Sequence, residues 1–541
     1  MHRALLVSRP LAPLSLSALI ALLIGAHAAT AASVSTRILI DPMGENDGDQ
    51  FGSSLASAGD VNGDGYDDLV IGAHFYPTLS GQGRAYLYFG GPSIDVTPDL
   101  IIPAPSTADR WFGTSVNSAG DFNGDGWTDV IVGARNAGLP GKAFIYYGGP
   151  ALDAIPDLVL IGETTGSMTW FGNSVAPAGD VNGDGFDDVI VGAPAYGANS
   201  TQVGRVYVFY GGNSPDAIPD RVLTGPVAGD QLGWVVGAGD MNGDGHPDLF
   251  ATAPRYYSSG TDLGEVYVWF GGPTFDTVAD LTIHGSESGQ HIRCAAIAGD
   301  INSDGFGDLI VGEGGNARVY FGGVNPDASS DLTLSGNFAS ISGVGDVNAD
   351  GAADFVLGDS SDDTGGADAG RVSVFYGGSA LDTQADLSFV GDRPGRQLGL
   401  GVVGAGNVDG SGPADVAAAA TEDPEGIGYD SGRVYVYANE FTPTAVPATP
   451  ARGIAFMGPR PNPAAGDVGL ELALDHAVPV RLTVYDLTGH EVARPIADEM
   501  MNGHIIRRWR PQGLRSGVYY LSAKLGAREQ VRKLVWLGEG H

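Results

Sequence analysis

The sequence has almost no cysteine. Its 541 residues include a single one, Cys294, so no disulfide can form within the chain. Zinc clusters built from several cysteines and Cys-x-x-Cys redox sites are excluded as well. The loops of this protein must therefore be held by other interactions.

Positive charge is also scarce. Lys and Arg number 28 against 64 Asp and Glu, which gives a net charge of −36. The imbalance lies in residues 32–451, which contain 14 basic and 55 acidic residues and carry −41, whereas residues 452–541 contain 12 basic and 9 acidic residues. Such a field repels nucleic acid and anionic membranes and attracts cations. We therefore expect no nucleic-acid partner.

Long apolar runs are confined to the N-terminus. Arg3 and Arg9 precede a mostly apolar stretch over residues 11–26, and small-residue cleavage options follow it. This pattern predicts a secretory signal peptide over residues 1–31. A membrane anchor is the alternative, although Pro13 interrupts the run. No later stretch is apolar enough to cross a bilayer, so we expect no membrane span in the mature chain.

Helical periodicity and catalytic motifs are missing too. No segment longer than about ten residues has apolar residues at helical spacing. There is no Gly-x-Ser-x-Gly nucleophile motif, and we expect no enzymatic activity. The chain instead combines 85 Gly and 32 Pro with 43% hydrophobic residues. This composition predicts many short strands joined by tight turns.

A nine-residue acidic pattern recurs along the chain. It first reads Asp60-Val-Asn62-Gly-Asp64-Gly65-Tyr-Asp-Asp68. Further copies start at Asp121, Asp180, Asp240, Asp300 and Asp346, and a degenerate seventh starts at Asn407. Successive starts are 61, 59, 60, 60, 46 and 61 residues apart. A period of this length fits a unit of four strands rather than one hairpin.

The third copy shows the internal order of each repeat. Phe171-Gly172 opens strand A, the acidic loop follows, and residues 188–194 form an apolar strand B. Residues 204–212 alternate as strand C, and residues 219–223 form a short strand D. Four antiparallel strands repeated in this way predict an all-β, seven-bladed β-propeller over residues 36–438. The short spacing before the sixth copy predicts a trimmed B–C hairpin at Gly312–Arg318.

Ring closure can be predicted from a missing strand. The seventh copy has no strand D, but the segment Thr36–Asp41 before the first copy reads as a strand. We predict that it pairs with the last strand C near Val434–Tyr437. This pairing would protect edges that otherwise invite aggregation.

Phe-Gly, then an Asp-rich loop, then Gly-Ala-Pro is the order of the FG-GAP repeat. Residues 36–438 resemble the propeller of integrin α subunits and of bacterial proteins with the same repeat. Repeats 5 and 6 depart from the pattern, because residues near His291 and Phe338 stand in place of Phe-Gly. The resemblance implies seven blades with calcium in the loops between strands A and B.

The loop residues favour calcium without the resemblance. Positions 1, 3, 5 and 9 are Asp, Asn, Asp and Asp in the first six copies, and all offer oxygen donors to a hard cation. Position 7 can add its carbonyl, and position 6 is always Gly. Carboxylates this close repel by roughly 4 kcal/mol per pair at an effective dielectric of 20. The alternative is that these residues only make a hairpin turn.

We predict about six calcium sites and a poorer seventh with two carboxylates. The predicted ligands are Asp60, Asn62, Asp64, Tyr66 and Asp68; Asp121, Asn123, Asp125, Trp127 and Asp129; Asp180, Asn182, Asp184, Phe186 and Asp188; Asp240, Asn242, Asp244, His246 and Asp248; Asp300, Asn302, Asp304, Phe306 and Asp308; Asp346, Asn348, Asp350, Ala352 and Asp354; and Asn407, Asp409 and Asp415.

Variable loops should lie on the opposite face of the propeller. The B–C loops carry aromatic and basic residues, and the D–A loops add Trp111 and Trp170. Loops on a rigid scaffold often carry function, so we predict a ligand site there. The candidates are Arg255, Tyr256, Tyr257 and Tyr196. The alternative is that these rings pack over the blade edges.

The C-terminal region differs in composition. Residues 439–454 are rich in Pro and Thr and predict a linker. Residues 455–541 predict an immunoglobulin-like β-sandwich, with strands at Leu470–Leu474, Val480–Tyr485, Ile505–Trp509, Gly517–Ala523 and Arg532–Leu537. Residues 480–492 and 514–520 resemble C-terminal sorting domains of the type IX secretion system and FlgD-like domains. The resemblance implies export by secretion machinery to the medium or the bacterial cell surface.

Together these features predict a secreted or surface-attached, monomeric, calcium-binding module for adhesion or ligand binding. Its partner would be a protein or a glycan on the face opposite the acidic loops. The alternative is a carbohydrate-active propeller, either a lectin or a polysaccharide lyase. A lyase would need a base in one cleft, and Arg255 with Tyr256 is the nearest candidate.

Overall fold

The computed structural model describes most of the chain. The described residues are 34–46, 48–77, 81–164, 167–197, 202–254, 263–286, 291–379, 381–421, 431–441, 455–460, 468–485, 490–511, 514–525 and 528–536. The predicted signal peptide and nearly all of the predicted linker lie outside them. The chain divides into two compact units, Ser33–Phe441 and a second that contains Thr442–His541.

The first unit contains 28 strands and, among the described residues, no helix. In chain order they are β1 (Val34–Ile40); β2 (Ser54–Gly59), β3 (Asp68–Ala73), β4 (Arg84–Tyr88) and β5 (Leu100–Pro103); β6 (Asp109–Gly120), β7 (Asp129–Ala137), β8 (Lys142–Tyr146) and β9 (Leu158–Ile161); β10 (Ser174–Gly179), β11 (Asp188–Ala193), β12 (Arg205–Phe209) and β13 (Arg221–Thr224); β14 (Val236–Gly239), β15 (Asp248–Ala253), β16 (Glu265–Trp269) and β17 (Leu281–His284); β18 (Ile292–Ile297), β19 (Leu309–Glu313), β20 (Asn316–Tyr320) and β21 (Leu332–Ser335); β22 (Ser340–Gly345), β23 (Asp354–Asp359), β24 (Arg371–Phe375) and β25 (Leu387–Val390); and β26 (Gly401–Gly406), β27 (Asp415–Ala420) and β28 (Arg433–Phe441).

These strands form seven antiparallel sheets of four strands each. Six sheets use consecutive strands, from β2–β5 to β22–β25, and the seventh has the order β1-β28-β27-β26. We call the sheets blades 1 to 7 in chain order. The first strand of each blade contacts the first strand of the next, and β26 contacts β2. The sheets therefore close into a ring, which confirms the predicted all-β propeller.

The core lies between neighbouring blades. Strand B is fully buried in blades 1, 3, 4, 5 and 7, because another blade covers each of its faces. One cluster joins Val70 of blade 1 to Phe144 of blade 2. Another joins Ile71 of blade 1 to Val434 of blade 7 and Ile40 of β1. The apolar runs of the repeat are thus the contacts that hold the ring.

The N-terminal strand closes the last blade. Strand β1 pairs antiparallel with β28, with Ile38 opposite Tyr437 and Val34 opposite Phe441. The predicted closure is confirmed, and the pairing runs further toward Phe441 than the sequence indicated. In blade 5, two glycines join β19 to β20, which is the trimmed hairpin.

The C-terminal unit is a single five-stranded sheet. Its strands are β29 (Ala455–Arg460), β30 (Val468–Tyr485), β31 (Glu491–Trp509), β32 (Gly517–Leu525) and β33 (Arg528–Trp536). The sheet order is β29-β30-β32-β33, with β31 also paired to β30. The outer strands β29 and β33 contact each other, so the sheet curls around one apolar cluster.

Two strand predictions for this unit were wrong. Residues 470–474 and 480–485 belong to one strand, β30, rather than to two. The segment between them reads as a break because it contains Asp475 and Pro479, but an irregularity between Leu474 and Val478 absorbs it and pairing with β31 resumes. Strand β31 likewise begins at Glu491, well before the predicted start at Ile505. The two-sheet immunoglobulin-like arrangement stays a prediction.

Within the described residues, no helix has the length and apolar character needed to cross a membrane.

Candidate metal centres and ligand face

The acidic loops join strand A to strand B at one end of each blade. The ninth residue of each loop anchors it to the blade. In blade 1, the buried Asp68 accepts the backbone N–H of Val61 at 2.9 Å through Oδ2 and that of Gly90 at 2.8 Å through Oδ1. One side chain thus ties the loop to the turn after strand C.

This anchor recurs around the ring. The equivalent acids are buried and accept the backbone N–H of position 2 in every blade: Asp129, Asp188, Asp248, Asp308, Asp354 and Asp415. Burial raises the pKa of Asp68 to about 7, and the charges of Asp64 and Asp60 add to the rise. The charged form of this carboxylate is therefore poorly stabilised, because the groups that donate to it are neutral backbone amides rather than cations.

Positions 1, 3 and 5 fold their oxygens into one tight turn. Asp60 accepts the N–H of Gly63 at 2.7 Å through Oδ1 and that of Gly65 at 2.9 Å through Oδ2. Asn62 Oδ1 accepts the N–H of Asp64 at 2.8 Å, and Asn62 Nδ2 donates to Asp64 Oδ2 at 3.1 Å. The bonds from position 5 to position 3 repeat in the loops of blades 2 to 6.

The donor set fits a hard cation. It consists of carboxylate, amide and carbonyl oxygens, and no His side chain or Cys contributes to the donor set of any loop. In blade 2, Asp121 Oδ1 is buried and accepts no hydrogen bond, which leaves an acceptor for a cation. Among the described residues, no group of three or more His, Cys, Asp or Glu side chains is arranged to hold a metal ion. Each loop would thus rely on its Asn and backbone oxygens as well as on carboxylates.

The loops contact one another around the ring. Trp127, at position 7 of the second loop, packs on Gly63 of the first, so that a Cβ added at Gly63 would lie 1.7 Å from the indole ring. The same relation joins Phe186 to Gly124, His246 to Gly183, Phe306 to Gly243 and Tyr66 to Gly410. The sequence predicts only a carbonyl ligand at position 7, but the frequent aromatic side chain at this position is the signal for this contact.

A second contact between blades uses the glycine pair after strand C. Gly149 N donates to the carbonyl of Val61, the second loop residue of blade 1, at 2.7 Å. Equivalent bonds run from Gly91 to Val408, Gly212 to Phe122, Gly272 to Val181, Gly323 to Met241 and Gly378 to Ile301. The repeated Gly-Gly therefore fastens the acidic loops of blades 1 to 5 and 7 to the next blade, a role that the sequence pattern does not reveal.

The seventh loop differs from the others. Its third residue, Asp409, receives the guanidinium of Arg37 from β1, with Nη2 and Oδ2 3.1 Å apart, and its side chain is 6% exposed. Asn407 holds the first position and accepts the N–H of Gly412 at 3.4 Å. An arginine thus supplies positive charge in the loop that has lost carboxylates.

The predicted ligand residues of the opposite face are only partly described. Arg255, Tyr256 and Tyr257 lie outside the described residues. Arg205 Cζ lies 3.7 Å from the ring centroid of Tyr196, whose O–H donates to Glu163 at 3.3 Å. Arg205 also pairs with Glu163 at 2.8 Å. Tyr196 therefore braces its B–C loop against the D–A loop, and a ligand contact there stays a prediction.

Comparisons with known proteins identify the modules of the chain. The FG-GAP repeat model matches residues 51–88, 112–149, 171–209 and 232–269, which lie in blades 1 to 4. The model of the secretion system C-terminal sorting domain matches residues 461–536. Both resemblances predicted from the sequence are confirmed.

Integrin α subunits are similar to part of the chain. Integrin alpha-5 of Xenopus laevis is 38% identical over 180 residues, 31% of this chain and 17% of the relative. Integrin alpha-7 of Homo sapiens is 39% identical over 150 residues, 27% of this chain and 12% of the relative. Integrin alpha-IIb of Mus musculus is 35% identical over 231 residues, 40% and 21% of the two chains. The matches thus span about a fifth or less of these relatives.

The sorting domain indicates secretion and export to the cell surface. The chain therefore combines an integrin α-like propeller, in which four blades are FG-GAP repeats, with a C-terminal secretion sorting domain.

Proposed function

We propose that this protein is a calcium-stabilised, non-enzymatic module for adhesion or ligand binding at the cell surface, and that it acts as a monomer. The observation that carries the proposal is the loop geometry. Six loops repeat the same oxygen donors and are tied to their own blades by a buried Asp, and the first five of them are also tied to the next blade by a Gly-Gly bond.

Calcium would act as a structural cross-link. The propeller has no disulfide, and its loops concentrate carboxylates that repel one another when no cation is present. Positions 1, 3 and 5 would hold the ion with their side chains, position 7 with its carbonyl, and position 9 from the buried side. Because the loops of blades 1 to 5 contact the next blade, neutralising any of these loops also stabilises the blade interface.

Adhesion or ligand binding is proposed for the other face. The sorting domain brings the chain to the cell surface, and integrin α subunits are its relatives. The acidic loops occupy one end of the blades, so the B–C and D–A loops at the opposite end are free to vary. These loops, on a ring of rigid sheets, are where a partner would dock.

Thermal unfolding of the full-length protein tests the calcium proposal. With a Kd of about 10⁻⁴ M, about 5 mM calcium would stabilise each occupied loop by roughly 2 kcal/mol. The melting temperature should therefore fall by many degrees in EDTA and recover when calcium is restored, but not when magnesium is added. Equal melting temperatures in calcium and EDTA would contradict the proposal.

A further inference from the structure

Five side chains form a cluster on the face opposite the acidic loops. They are Trp111, Arg135, Trp170, Asn173 and Trp234, and we call them the Trp–Arg cluster. Arg135 lies on β7 six residues after Asp129, so it is about 20 Å from the acidic loop of its own blade. All five side chains are partly exposed, so the cluster is open to a ligand.

The cluster occupies positions where blades 2 and 3 differ from the other repeats. Arg135 follows Gly-Ala where repeat 3 has Pro194. Trp111 and Trp170 precede Phe-Gly, a place that three other blades fill with Gln: Gln50, Gln231 and Gln397. Both tryptophans have a left-handed backbone, with φ of 59° and 56°. A bulky residue is costly in this conformation, so the ring of the propeller does not require tryptophan there.

The guanidinium of Arg135 lies between two indole rings. Its Cζ is 4.9 Å from the ring centroid of Trp111 and 5.5 Å from that of Trp170. Nη1 donates to Asn173 Oδ1 at 2.8 Å, and Asn173 Nδ2 donates to the carbonyl of Trp234 at 3.0 Å. The indoles of Trp170 and Trp234 meet edge to face at 6.3 Å. The cluster thus holds the guanidinium in one position between aromatic rings.

Arg135 has no acidic partner among the described residues, which is unusual in so acidic a propeller. Other arginines of the propeller pair with carboxylates, namely Arg37, Arg84, Arg205 and Arg371. Arg135 Nε and Trp111 Nε1 are buried and make no hydrogen bond. Burial lowers the pKa of Arg135, which reports the cost of holding this charge away from water.

The neighbouring histidine does not change the charge of the cluster. His74 lies 6.2 Å from Trp111, ring to ring, and its Nδ1 is 2.7 Å from Ser53 Oγ. Burial lowers the pKa of His74 to about 4, and the charge of Arg135 adds to the effect. The imidazole is therefore neutral at physiological pH, and the guanidinium is the single charge facing a ligand from these residues.

We propose that the Trp–Arg cluster binds one Asp or Glu side chain of a protein partner. A carboxylate supplies the charge that Arg135 lacks and matches the guanidinium geometry, while the indoles cover the apolar stem. Trp and Arg are also the residues that dominate binding energy at protein interfaces. This inference rests on the proposed ligand-binding function and names its site and chemistry.

The overall charge selects a protein rather than an acidic polysaccharide. Residues 32–451 carry −41, a field that repels a polymer with a carboxylate on every sugar. A protein can present one carboxylate within a neutral or basic surface, which the same field attracts. The partner expected is therefore a neutral or basic protein with one acidic residue at the centre of its contact.

Three small probes test the site on the full-length protein. They are N-acetyl-aspartate N-methylamide, its asparagine analogue and oligoglucuronate, each titrated against tryptophan fluorescence. The aspartate probe should give a saturable change with a Kd on the order of 1–10 mM, as its size allows. The asparagine analogue should give none, and oligoglucuronate, which has a carboxylate on every sugar, should bind more weakly than the aspartate probe because the acidic propeller repels it.

Variants locate the binding. Arg135→Gln should weaken binding of the aspartate probe at least tenfold. Arg135→Lys should give an intermediate loss, since Lys keeps the positive charge but cannot form the two parallel hydrogen bonds of a guanidinium. Arg221→Gln is the matched control, because Arg221 stacks at 5.5 Å on Tyr210 elsewhere in blade 3 and should leave binding unchanged. If Arg135→Gln does not fold, the Lys variant alone carries the comparison.

Three outcomes would overturn the proposal: no saturable aspartate binding, equal binding by the Gln and wild-type proteins, or preference for oligoglucuronate. Failure here is separable from failure of the proposed function. If calcium stabilises the protein and it binds cell-surface protein unchanged by Arg135→Gln, the cluster is wrong and the function stands. If the aspartate probe binds but no cell-surface ligand does, the cluster is a carboxylate site and the proposed adhesion or ligand-binding function is wrong.

Discussion

Arg37 of the N-terminal strand and Asp409 of the seventh acidic loop form an ion pair of 3.1 Å between Nη2 and Oδ2. The Asp409 side chain is 6% exposed, so its charge is largely removed from water. The pair joins the first strand of the propeller to the loop of its last blade. In this blade, the closing strand thus supplies the positive charge that a cation would supply in the other six loops.

Removing this arginine should weaken ring closure. Arg37→Gln leaves Asp409 without its charge partner, and we expect a loss of about 1–3 kcal/mol in the free energy of unfolding. Urea unfolding measures it, and the double variant with Asp409→Asn should recover part of the loss. Arg393→Gln, which changes a surface pair with Asp392, should cost less than about 0.5 kcal/mol. Equal losses in the two single variants would contradict a special role for Arg37.

In the third blade, an exposed ligand position can be compared with a buried ligand position that is also a structural anchor. Asp184 is exposed and lies at position 5, whereas Asp188 is buried and accepts backbone N–H bonds from Val181 and Gly211. In EDTA, Asp188→Asn should cost about 1–3 kcal/mol because one backbone N–H loses its acceptor. Asp184→Asn should cost little, since it removes a repelling charge.

In calcium, Asp184→Asn should destabilise the protein instead of leaving its stability nearly unchanged. Asp184→Asn should lose the stabilisation of one loop, roughly 2 kcal/mol at about 5 mM calcium. Asp153→Asn, an exposed turn residue outside the loops, controls for the change in net charge. If Asp184→Asn melts like wild type in both calcium and EDTA, position 5 is not a ligand.

The contact between the first two loops can be tested by a mutant cycle. Gly63→Ala places a Cβ 1.7 Å from the Trp127 ring on a backbone with φ of 77°, so both clash and strain should destabilise the protein by more than about 1 kcal/mol. Trp127→Ala removes the clash but not the strain. The double variant should therefore lose less than the sum of the single variants, as thermal unfolding would show. Additive losses would mean that the loops are not in contact.

Much of the fold follows from spacing along the chain. The acidic pattern at intervals near 60 residues predicts the blades, and the missing last strand D predicts that β1 closes the ring. Both depend on local pattern and on the need to cover sheet edges, which one sequence can reveal. The acidic loops were predicted on the same basis, because their residue types are repeated at fixed positions.

Contacts between blades could not be predicted in the same way. Trp127 on Gly63 and Gly149 to Val61 join residues whose distance depends on how two sheets pack. The anchor role of Asp68 was hidden because an oxygen donor reads alike as a ligand or as an acceptor of backbone N–H bonds. In the C-terminal unit, Asp475 and Pro479 read as a break although tertiary pairing carries β30 through them. The pairing of Arg37 with Asp409 depends on ring closure itself.

The calcium content of the full-length protein tests the central claim most directly. The protein is dialysed to equilibrium against about 5 mM calcium, and the excess calcium on the protein side is measured by mass spectrometry alongside isothermal titration of the EDTA-treated form. The account predicts about six calcium ions per chain, one fewer in Asp184→Asn and no change in Arg37→Gln or Asp153→Asn. Binding of no calcium, or an unchanged count in Asp184→Asn, would contradict it.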